Sequence, residues 1–409
     1  MTKILHLNCG VQQYAWGKGA AESAVARMKG KCSENGKFAE LWVGTHVNCP
    51  SHTMDGELLS AFLQKSANGD RFFAPQQQQI PRFHNRVPFL LKLLSIETAL
   101  SIQAHPNKTL AERLHAENPT KYRDPNHKPE LIIAITPFEA LCCFRSVEEI
   151  NRLLRTVPSL VLLLGHALEA QQVSDSTRDK IERIMRAIYA IDPQQHARAL
   201  LDHTEELRRK GDAIGVEDRL FLRLVSQYPS DMGCWMVYIL NYVQLKPGEG
   251  LFLADSEPHA YLFGDGVEIM ASSDNVVRAG LTPKWKDVPT LLKMLRYNTD
   301  GLARAKHSRK LAGDGEEWEV QLYAPPVEFP DFSIYRIQRV SSGKSKTSVV
   351  LPTIGLGFCV EGACVVNDEP VTMGGCFAVP YGEVRVEAVG ECQLFVASMN
   401  LPCNHSAKL

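Results

Sequence analysis

Ser101-Ile102-Gln103-Ala104-His105-Pro106-Asn107-Lys108 is the stretch from which the fold and the site of this chain can be predicted. It follows an apolar run, Pro88 to Leu94, that is typical of a buried strand. Gln103 and His105 are two residues apart, so on a strand their side chains point to the same face. Pro106 favours an extended backbone at His105, which supports the strand. An amide oxygen and an imidazole nitrogen on one face could be two ligands of a metal ion.

The segments around this stretch also have strand character. Leu131 to Ile135 is an apolar run closed by a proline, and residues 39–46 alternate between apolar and small or polar side chains. Residues 108–117 have a helical pattern, and a proline-punctuated loop follows them. Beyond about residue 313, short strand-like runs and glycine turns fill almost the whole sequence. These patterns predict a protein that is mainly β.

The character of the sequence changes at Ser146. Ser146 and Glu149 have the spacing of a capping box, which is typical of the first turn of a helix. From there to about Pro229, glycine and proline are scarce and apolar residues recur at helical spacing. Two stripes show this spacing, namely Ile181, Ile184, Met185 and Ile188, and Phe221, Leu222, Leu224 and Val225. The sequence therefore predicts a helical insert over residues 146–231.

Strand character returns after the insert. The run from Cys234 to Leu240 predicts a strand, which continues to Leu245. The segment Gly374 to Tyr381 repeats the turn, strand and proline order of Gly248 to Pro258, but without a histidine at the matching place. Two β-barrel units related by duplication, one with a metal and one without, would explain this echo.

The metal hypothesis gains support from two further residues. Glu130 immediately precedes an apolar strand, and His259 follows a predicted strand, so both could lie at the mouth of a sheet. With Gln103 and His105 they supply two imidazole nitrogens and two oxygens. That mixture suits zinc and does not exclude manganese or iron.

Several cations accompany these candidate ligands in the sequence. Lys92 lies on the strand before Gln103, and Lys128 is two residues from Glu130. Arg278 and Lys284 lie in one short segment after His259 and could be either part of the site or solvated loop charges. Cations around a metal favour an anionic substrate such as a phosphate ester.

Composition limits the class of protein. The chain has 409 residues, 22% of them charged, with a formal net charge of −1, which gives no support to nucleic-acid binding. The start lacks the apolar core of a signal peptide, and Leu160 to Leu164 is too short to span a bilayer. The eleven cysteines include no Cys-x-x-Cys pair, which favours reduced thiols. We expect a soluble intracellular protein that binds neither nucleic acid nor membranes.

The last three residues, Ala407-Lys408-Leu409, have the pattern of a peroxisomal targeting signal, in which a small residue, a basic residue and leucine follow one another. They follow Pro402 and a short polar segment, so they could be presented to an import receptor on a free end. We therefore expect a peroxisome-type organelle, including the glycosome variant, with the cytoplasm as the alternative.

The chain resembles the type I mannose-6-phosphate isomerases from residue 10 to about residue 300. The resemblance is carried by an ordered set of motifs: Tyr14-Ala15-Trp16-Gly17, Glu40-Leu41-Trp42-Val43-Gly44-Thr45-His46, Ser101-Ile102-Gln103-Ala104-His105-Pro106, Asn126-His127-Lys128-Pro129-Glu130, Gly248-Glu249-Gly250-Leu251-Phe252-Leu253, Pro258-His259-Ala260-Tyr261 and Ser273-Asp274-Asn275-Val276-Val277-Arg278-Ala279-Gly280-Leu281-Thr282-Pro283-Lys284. Ala15 stands where many members of the family have proline.

The resemblance implies two cupin (jelly-roll) β-barrel domains and an inserted helical domain. The catalytic, metal-binding domain would be residues 1–145 and 232–312, the insert 146–231, and the metal-free domain 313–409. One Zn²⁺ per chain would be bound by four ligands, Gln103, His105, Glu130 and His259. We also expect a monomer.

The implied reaction interconverts mannose 6-phosphate and fructose 6-phosphate, which feeds GDP-mannose synthesis and glycosylation. It needs a base to move a proton between C1 and C2, and a fixed positive charge for the enediolate. The family's active-site arginine matches Arg278. The candidate proton carriers are Glu268, Asp274, Lys128 and His127, among which the sequence does not choose. Further candidates for substrate contact are His127 and Trp16, although Trp16 could equally belong to the core. The candidates for the phosphate end are Lys284, Ser101 and Lys92.

The sequence leaves two other classes of protein open. A cupin-type oxygenase would need a redox-active iron and usually has a richer histidine set, so Gln103 argues against it. A non-catalytic cupin that binds or stores sugar phosphates would not need an arginine beside the metal.

Overall fold

The structure, a computed structural model, describes residues 3–169, 175–305, 309–311 and 317–402. The predicted targeting tripeptide Ala407–Leu409 lies outside these residues. The described strands are β1 (Leu5–Asn8), β2 (Val11–Gln12), β3 (Lys18–Gly19), β4 (Lys37–Phe38), β5 (Glu40–Val43), β6 (His52–Thr53), β7 (Phe89–Ile96), β8 (Ile102–Ala104), β9 (Glu130–Ala134), β10 (Phe138–Phe144), β11 (Leu240–Leu245), β12 (Gly250–Leu253), β13 (His259–Ala271), β14 (Val277–Gly280), β15 (Arg309–Leu311), β16 (Trp318–Tyr323), β17 (Ser333–Arg339), β18 (Ser345–Leu351), β19 (Gly355–Val366), β20 (Glu369–Thr372), β21 (Cys376–Val379), β22 (Gly382–Ala388) and β23 (Cys392–Ser398).

The described α-helices are α1 (Ala24–Met28), α2 (Leu59–Gln64), α3 (Ser66–Phe72), α4 (Pro75–Gln78), α5 (Lys108–Glu117), α6 (Val147–Leu154), α7 (Pro158–Glu169), α8 (Thr177–Tyr189), α9 (Pro193–Lys210), α10 (Val216–Gln227), α11 (Val288–Met294) and α12 (Gly301–Ala305). Short 3₁₀ helices cover Pro81–Phe83, Gly211–Ala213 and Met232–Tyr238. None of the helices in the described part of the chain combines the length and apolar character needed to cross a membrane.

Two large antiparallel sheets organise the described residues. The first contains β2, β5, β7 to β14 and has the path β11-β10-β13-β7-β5-β2 at its centre. The second contains β15 to β23 together with β1 and β6. Two antiparallel sheets and a block of helices confirm the predicted class, which was mainly β with a helical insert.

The long strand β13 holds the first sheet together. It pairs with β7 over eight residues, with β9 over five and with β10 over four. Its first residue, His259, lies opposite Gln103 of β8, and Met270 lies opposite Glu130 of β9. Met270 and His259 are near opposite ends of β13, yet a Glu130 oxygen lies 3.4 Å from His259 Nε2, so two residues far apart in sequence meet.

The amino-terminal strand does not belong to the first sheet. β1 pairs with β21 of the second sheet and with β6, whereas the predicted division placed residues 1–145 wholly in the catalytic domain. At the other boundary, β15 pairs with β16 of the second sheet, although the division ended the first domain at residue 312. The pairing of β1 with the second sheet could not be predicted from its sequence. Leu5 and Leu7 alternate with polar residues as in a half-buried strand, and that pattern fits the edge of either sheet.

The described residues between Ser146 and Asp231 form helices α6 to α10 and a short 3₁₀ helix, and contribute no strand. The Ser146 hydroxyl accepts a hydrogen bond from the Glu149 amide at 3.1 Å, as the capping-box spacing predicts. The stripe of Ile181, Ile184, Met185 and Ile188 is fully buried on α8. The helices thus turn one apolar face towards a core that they share with β8, β10 and β11.

The strand predicted from Cys234 is wrong in its first half. Met232–Tyr238 is a 3₁₀ helix, and the strand begins only at Leu240. The Asp231 carboxylate caps this helix by accepting a hydrogen bond from the Gly233 amide at 2.7 Å. Residues 233–238 are all buried, and burial on every side produces a continuous apolar run whether the backbone is helical or extended.

Candidate metal centre

Three buried side chains converge where β9 and β13 begin. The ligand-type atoms of His105, Glu130 and His259 all lie within 4.8 Å of one another. His105 Nε2 is 3.2 Å from one Glu130 oxygen, and His259 Nε2 is 3.4 Å from the other. All three residues are at most 1% exposed. No other group of three or more such residues with this spacing occurs among the described residues.

The remaining nitrogen of each histidine is fixed by a backbone carbonyl. His105 Nδ1 is 2.7 Å from the Asn275 carbonyl oxygen, and His259 Nδ1 is 3.0 Å from that of Glu257. A carbonyl only accepts hydrogen bonds, so both histidines carry a proton on Nδ1, and the Nε2 atom of each is turned towards the centre. This is the arrangement in which outer contacts orient metal-binding histidines.

Gln103 lies beside the same group. Its amide is 3.3 Å from His259 Nε2 at one end and 3.0 Å from the Ser101 hydroxyl at the other. The oxygen and the nitrogen of a glutamine amide are told apart only by their hydrogen bonds. A half-turn of the amide would bring its oxygen next to His259 and let its NH₂ group donate to Ser101. Ser101 is therefore placed to orient Gln103.

The protonation states suit a cation. Burial lowers the pKa of His105 to about 4, so its imidazole is neutral at physiological pH. Burial alone would raise the pKa of Glu130, but Lys128 and His105 hold it well below its usual range. Lys128 Nζ lies 2.9 Å from a Glu130 oxygen. The centre thus presents a neutral His105 imidazole and an ionised Glu130 carboxylate.

The side-chain atoms at this centre are of the kinds that bind a zinc ion. His105 Nε2 and Glu130 Oε2 are buried without a hydrogen-bond partner among the described residues, although each has a ligand-type atom close by. Buried polar atoms are rarely left unpaired, so a bound cation accounts for both. Two imidazole nitrogens, one carboxylate and one amide oxygen form a mixed set that zinc accepts.

A row of charged residues crosses three neighbouring strands beside the centre. Glu268 of β13 lies opposite Lys92 of β7, and Lys92 lies opposite Trp42 of β5. Lys92 Nζ is 3.1 Å from Glu268 and 3.7 Å from Glu40, while the Trp42 indole donates to Glu40 at 2.7 Å. All four side chains are buried.

This row contains two carboxylates and a single ammonium group. Burial opposes the charge of Lys92, but Glu268, Glu40 and Glu130 together raise its pKa above the ordinary value. Burial raises the pKa of Glu268, Lys92 opposes the rise and Glu130 adds to it. One ammonium group thus serves two buried carboxylates, and the pKa of Glu268 stays above its ordinary value.

Arg278 faces the centre as an unpaired cation. It lies on β14 directly opposite Gln103, and it is half-buried. No acidic side chain among the described residues forms an ion pair with Arg278 or with the exposed Lys284. Burial lowers the pKa of Arg278, and burial together with Arg278 lowers that of Lys284. The two cations therefore lie near each other without a partner of their own, as an anion site requires.

The other predicted residues occupy different surroundings. Asp274 accepts a hydrogen bond from Asn48 at 2.9 Å and lies 3.4 Å from His46 Nε2. His127 Nε2 lies 3.0 Å from Asp331 of the carboxyl-terminal sheet region, so His127 connects the two sheets. Trp16 is partly buried, and its ring stacks on that of Tyr14 at 5.6 Å.

Three residues of this region are not among those predicted from the sequence, namely Glu40, Trp42 and Tyr261. Tyr261 is buried, and its hydroxyl has no hydrogen-bond partner among the described residues. Burial, with Glu130 and Glu268, raises its pKa well above the ordinary value. Side chains two residues apart on a strand point to the same face, and this spacing was the available signal. Tyr261 is two residues from His259 on β13, and Trp42 is two residues from Glu40 on β5.

Comparison with known proteins agrees with this geometry. Residues 4–147 match the family described as phosphomannose isomerase type I, catalytic domain. Mannose-6-phosphate isomerase of Homo sapiens is 38% identical over 90% of this chain and 90% of that protein. Mannose-6-phosphate isomerase 1 of Arabidopsis thaliana is 33% identical over 97% of this chain and 94% of that protein.

Solved structures show the same fold. The apo form of mannose 6-phosphate isomerase from Salmonella typhimurium superposes with a TM-score of 0.81 at 27% identity, covering 98% of this chain and all of that one. A mannose 6-phosphate isomerase bound with zinc and yttrium superposes with a TM-score of 0.79 at 27% identity, over 97% and 100% of the two chains.

Proposed function

This chain belongs to the type I phosphomannose isomerase family, and we propose that it interconverts mannose 6-phosphate and fructose 6-phosphate with one zinc ion bound by His105, Glu130, His259 and Gln103. The observation that carries the proposal is the buried convergence of His105, Glu130 and His259 opposite the unpaired Arg278. When bound, zinc supplies Lewis-acid polarisation of substrate oxygens.

Isomerisation moves a carbonyl from C1 to C2. A base takes the proton from C2 while O1 gains a proton, which gives an enediol; C1 then receives a proton while O2 loses one. We assign the carbon proton to Glu268, because it is a buried carboxyl beside the centre whose pKa is raised, as is typical of a general acid or base. Lys128, held by Glu130, and Asp274, held by Asn48, are the alternatives.

The charge that develops on the substrate oxygens needs fixed cations. Arg278 is half-buried and unpaired, so its guanidinium is free to stabilise an enediolate at no cost to another ion pair. Lys284 lies further out on the same segment and is exposed, which suits it to the phosphate end. Lys92 is paired with two carboxylates, and this supports a role in setting the charge of Glu268.

Chelation tests the assignment. Protein treated with a strong chelator and desalted is expected to lose isomerase activity on mannose 6-phosphate and to regain it on addition of one equivalent of zinc. The product is followed by proton NMR, and oxygen uptake is recorded in parallel. Activity that survives complete removal of metal would overturn the zinc proposal. Oxygen consumption without isomerisation would favour an oxygenase, and tight binding without turnover would favour a storage protein.

We further propose that the mannose 6-phosphate made or used by this chain feeds mannose activation to GDP-mannose and glycosylation. The monomeric state and the absence of nucleic-acid and membrane partners stay predictions of the sequence.

The address at the carboxyl end also stays a prediction, namely import into a peroxisome-type organelle or glycosome through Ala407–Leu409. Its physical basis is an accessible tripeptide that a receptor can bind. A fluorescent reporter carrying residues 398–409 is expected to give puncta that overlap a matrix marker, and the same reporter without Leu409 is expected to be diffuse. Diffuse fluorescence from the intact tail would leave the cytoplasm.

A further inference from the structure

A strained turn carries His259 into the centre. Ser256 has a φ of 64°, in the left-handed region that residues other than glycine rarely adopt. Its amide donates to the His105 carbonyl at 2.8 Å, which ties the turn to the other metal-site histidine. Such a conformation persists only where its surroundings hold it, so the contacts around the turn show what holds it.

Glu257 links this turn to a helix outside the centre. Its carbonyl accepts the His259 Nδ1–H bond at 3.0 Å, while its carboxylate accepts a bond from Arg304 Nη2 at 2.8 Å. The carboxylate is buried, with 5% of the side chain exposed, and Arg304 lies on α12. One residue therefore contacts the metal-site histidine through its backbone and the helix through its side chain.

Close packing keeps α12 against the turn. A Cβ at Gly301, the first residue of α12, would come within 3.0 Å of Glu257 Oε2 and 2.8 Å of Cys143 Sγ. Only glycine allows the helix to approach this far without displacing one of them. On the other side of the turn, Arg296 donates to Asp255 at 3.0 Å, and its amide donates to the Ser256 carbonyl at 3.0 Å.

We propose that Glu257 and Arg304 are positioning residues of the metal centre. By holding the turn, the pair fixes the Glu257 carbonyl that orients His259, and so it sets the affinity for the metal. The inference rests on the proposed function, because it takes zinc as the bound ion. Outer contacts of this kind typically change metal affinity by about 10- to 100-fold when they are lost.

The surroundings of Arg304 make it suitable for substitution. About half of its side chain is exposed, with 46% accessible. It borders a cavity of about 80 Å³ that is also lined by Phe252, Glu257 and Phe329. A side chain of another shape can therefore be accommodated at position 304. A substitution of Arg304 then removes the ion pair with Glu257 while the packing is kept.

The test measures zinc affinity and not turnover. Arg304→Met, Glu257→Gln and the double variant are titrated with zinc against a chelator of known affinity, and the melting temperature of each metal-free protein is recorded. The Glu257→Gln variant leaves no buried charge without a partner, so it is informative even if Arg304→Met is destabilised. Arg304→Lys is the conservative rescue. Arg186→Met is the matched control, because Arg186 also forms a 2.7 Å pair with a glutamate and its side chain is 52% exposed.

Each single variant is expected to raise the zinc dissociation constant about tenfold. The double variant should bind zinc no more weakly than the weaker-binding single variant, since the two side chains act as one unit. Arg304→Lys should recover most of the affinity, and Arg186→Met should leave it unchanged. Dissociation constants within twofold of the wild type in either single variant would overturn the inference, whatever the melting temperatures. Failure of the proposed function is distinct, because wild-type protein would then bind no zinc.

Discussion

His259→Ala is expected to remove zinc from the protein and to lower kcat/KM for mannose 6-phosphate by about 1,000-fold or more. The substitution deletes one of two imidazole donors and leaves an empty buried space beside Glu130 and His105. A Lewis acid contributes several kcal/mol of transition-state stabilisation, and each factor of ten in rate corresponds to about 1.4 kcal/mol. Elemental analysis of protein purified without added metal should show about one zinc per wild-type chain and almost none in the variant.

Two controls make this result specific. His84→Ala removes an exposed histidine whose ring is hydrogen-bonded to the Gln78 carbonyl and to Asn85, and it should keep full metal content and activity. Circular dichroism and the melting temperature of the metal-free variant show whether His259→Ala still folds. If folded His259→Ala retained the zinc and the activity of the wild type, His259 would not be a ligand.

Arg278→Lys is expected to lower kcat by about 100- to 1,000-fold with little change in KM. The guanidinium has no ion pair with a described acidic residue, so the substitution leaves no carboxylate unpaired and should not disturb the fold. Removing one group that stabilises a developing oxyanion typically costs this much in kcat. Lysine keeps the charge but not the planar pair of donors, so it does not restore the lost interaction. Steady-state kinetics on mannose 6-phosphate measures both constants.

The split between the two constants decides the role of Arg278. An unchanged kcat with a raised KM would make it a phosphate anchor and would contradict the assignment. Arg113→Lys is a suitable control, because Arg113 forms an exposed pair with Glu117 on the surface of α5 and should change neither constant. Lys284→Met, by contrast, should raise KM more than it lowers kcat if Lys284 binds the phosphate end.

Local patterns determined much of the fold. The helix over residues 108–117, the capping box at Ser146 and the apolar runs that became β7 and β9 all appear where their periodicity predicts them. These features depend on spacing and on contacts within a few residues, which is why they can be read from the chain alone. The resemblance to the isomerase family adds what spacing cannot supply, namely the pairing of motifs more than a hundred residues apart.

The sequence by itself determined most of the element types, the helical insert and a set of ligand types that suits zinc. Only the tertiary structure decided which sheet β1 joins, that residues 232–238 form a 3₁₀ helix, and that His127 faces Asp331. It also decided that Glu268, Lys92 and Trp42 form one row, because cross-strand register aligns residues from three distant segments. The physical reason is that strand pairing and burial follow from competition among all segments for partners and a shared core, and no single segment contains that information.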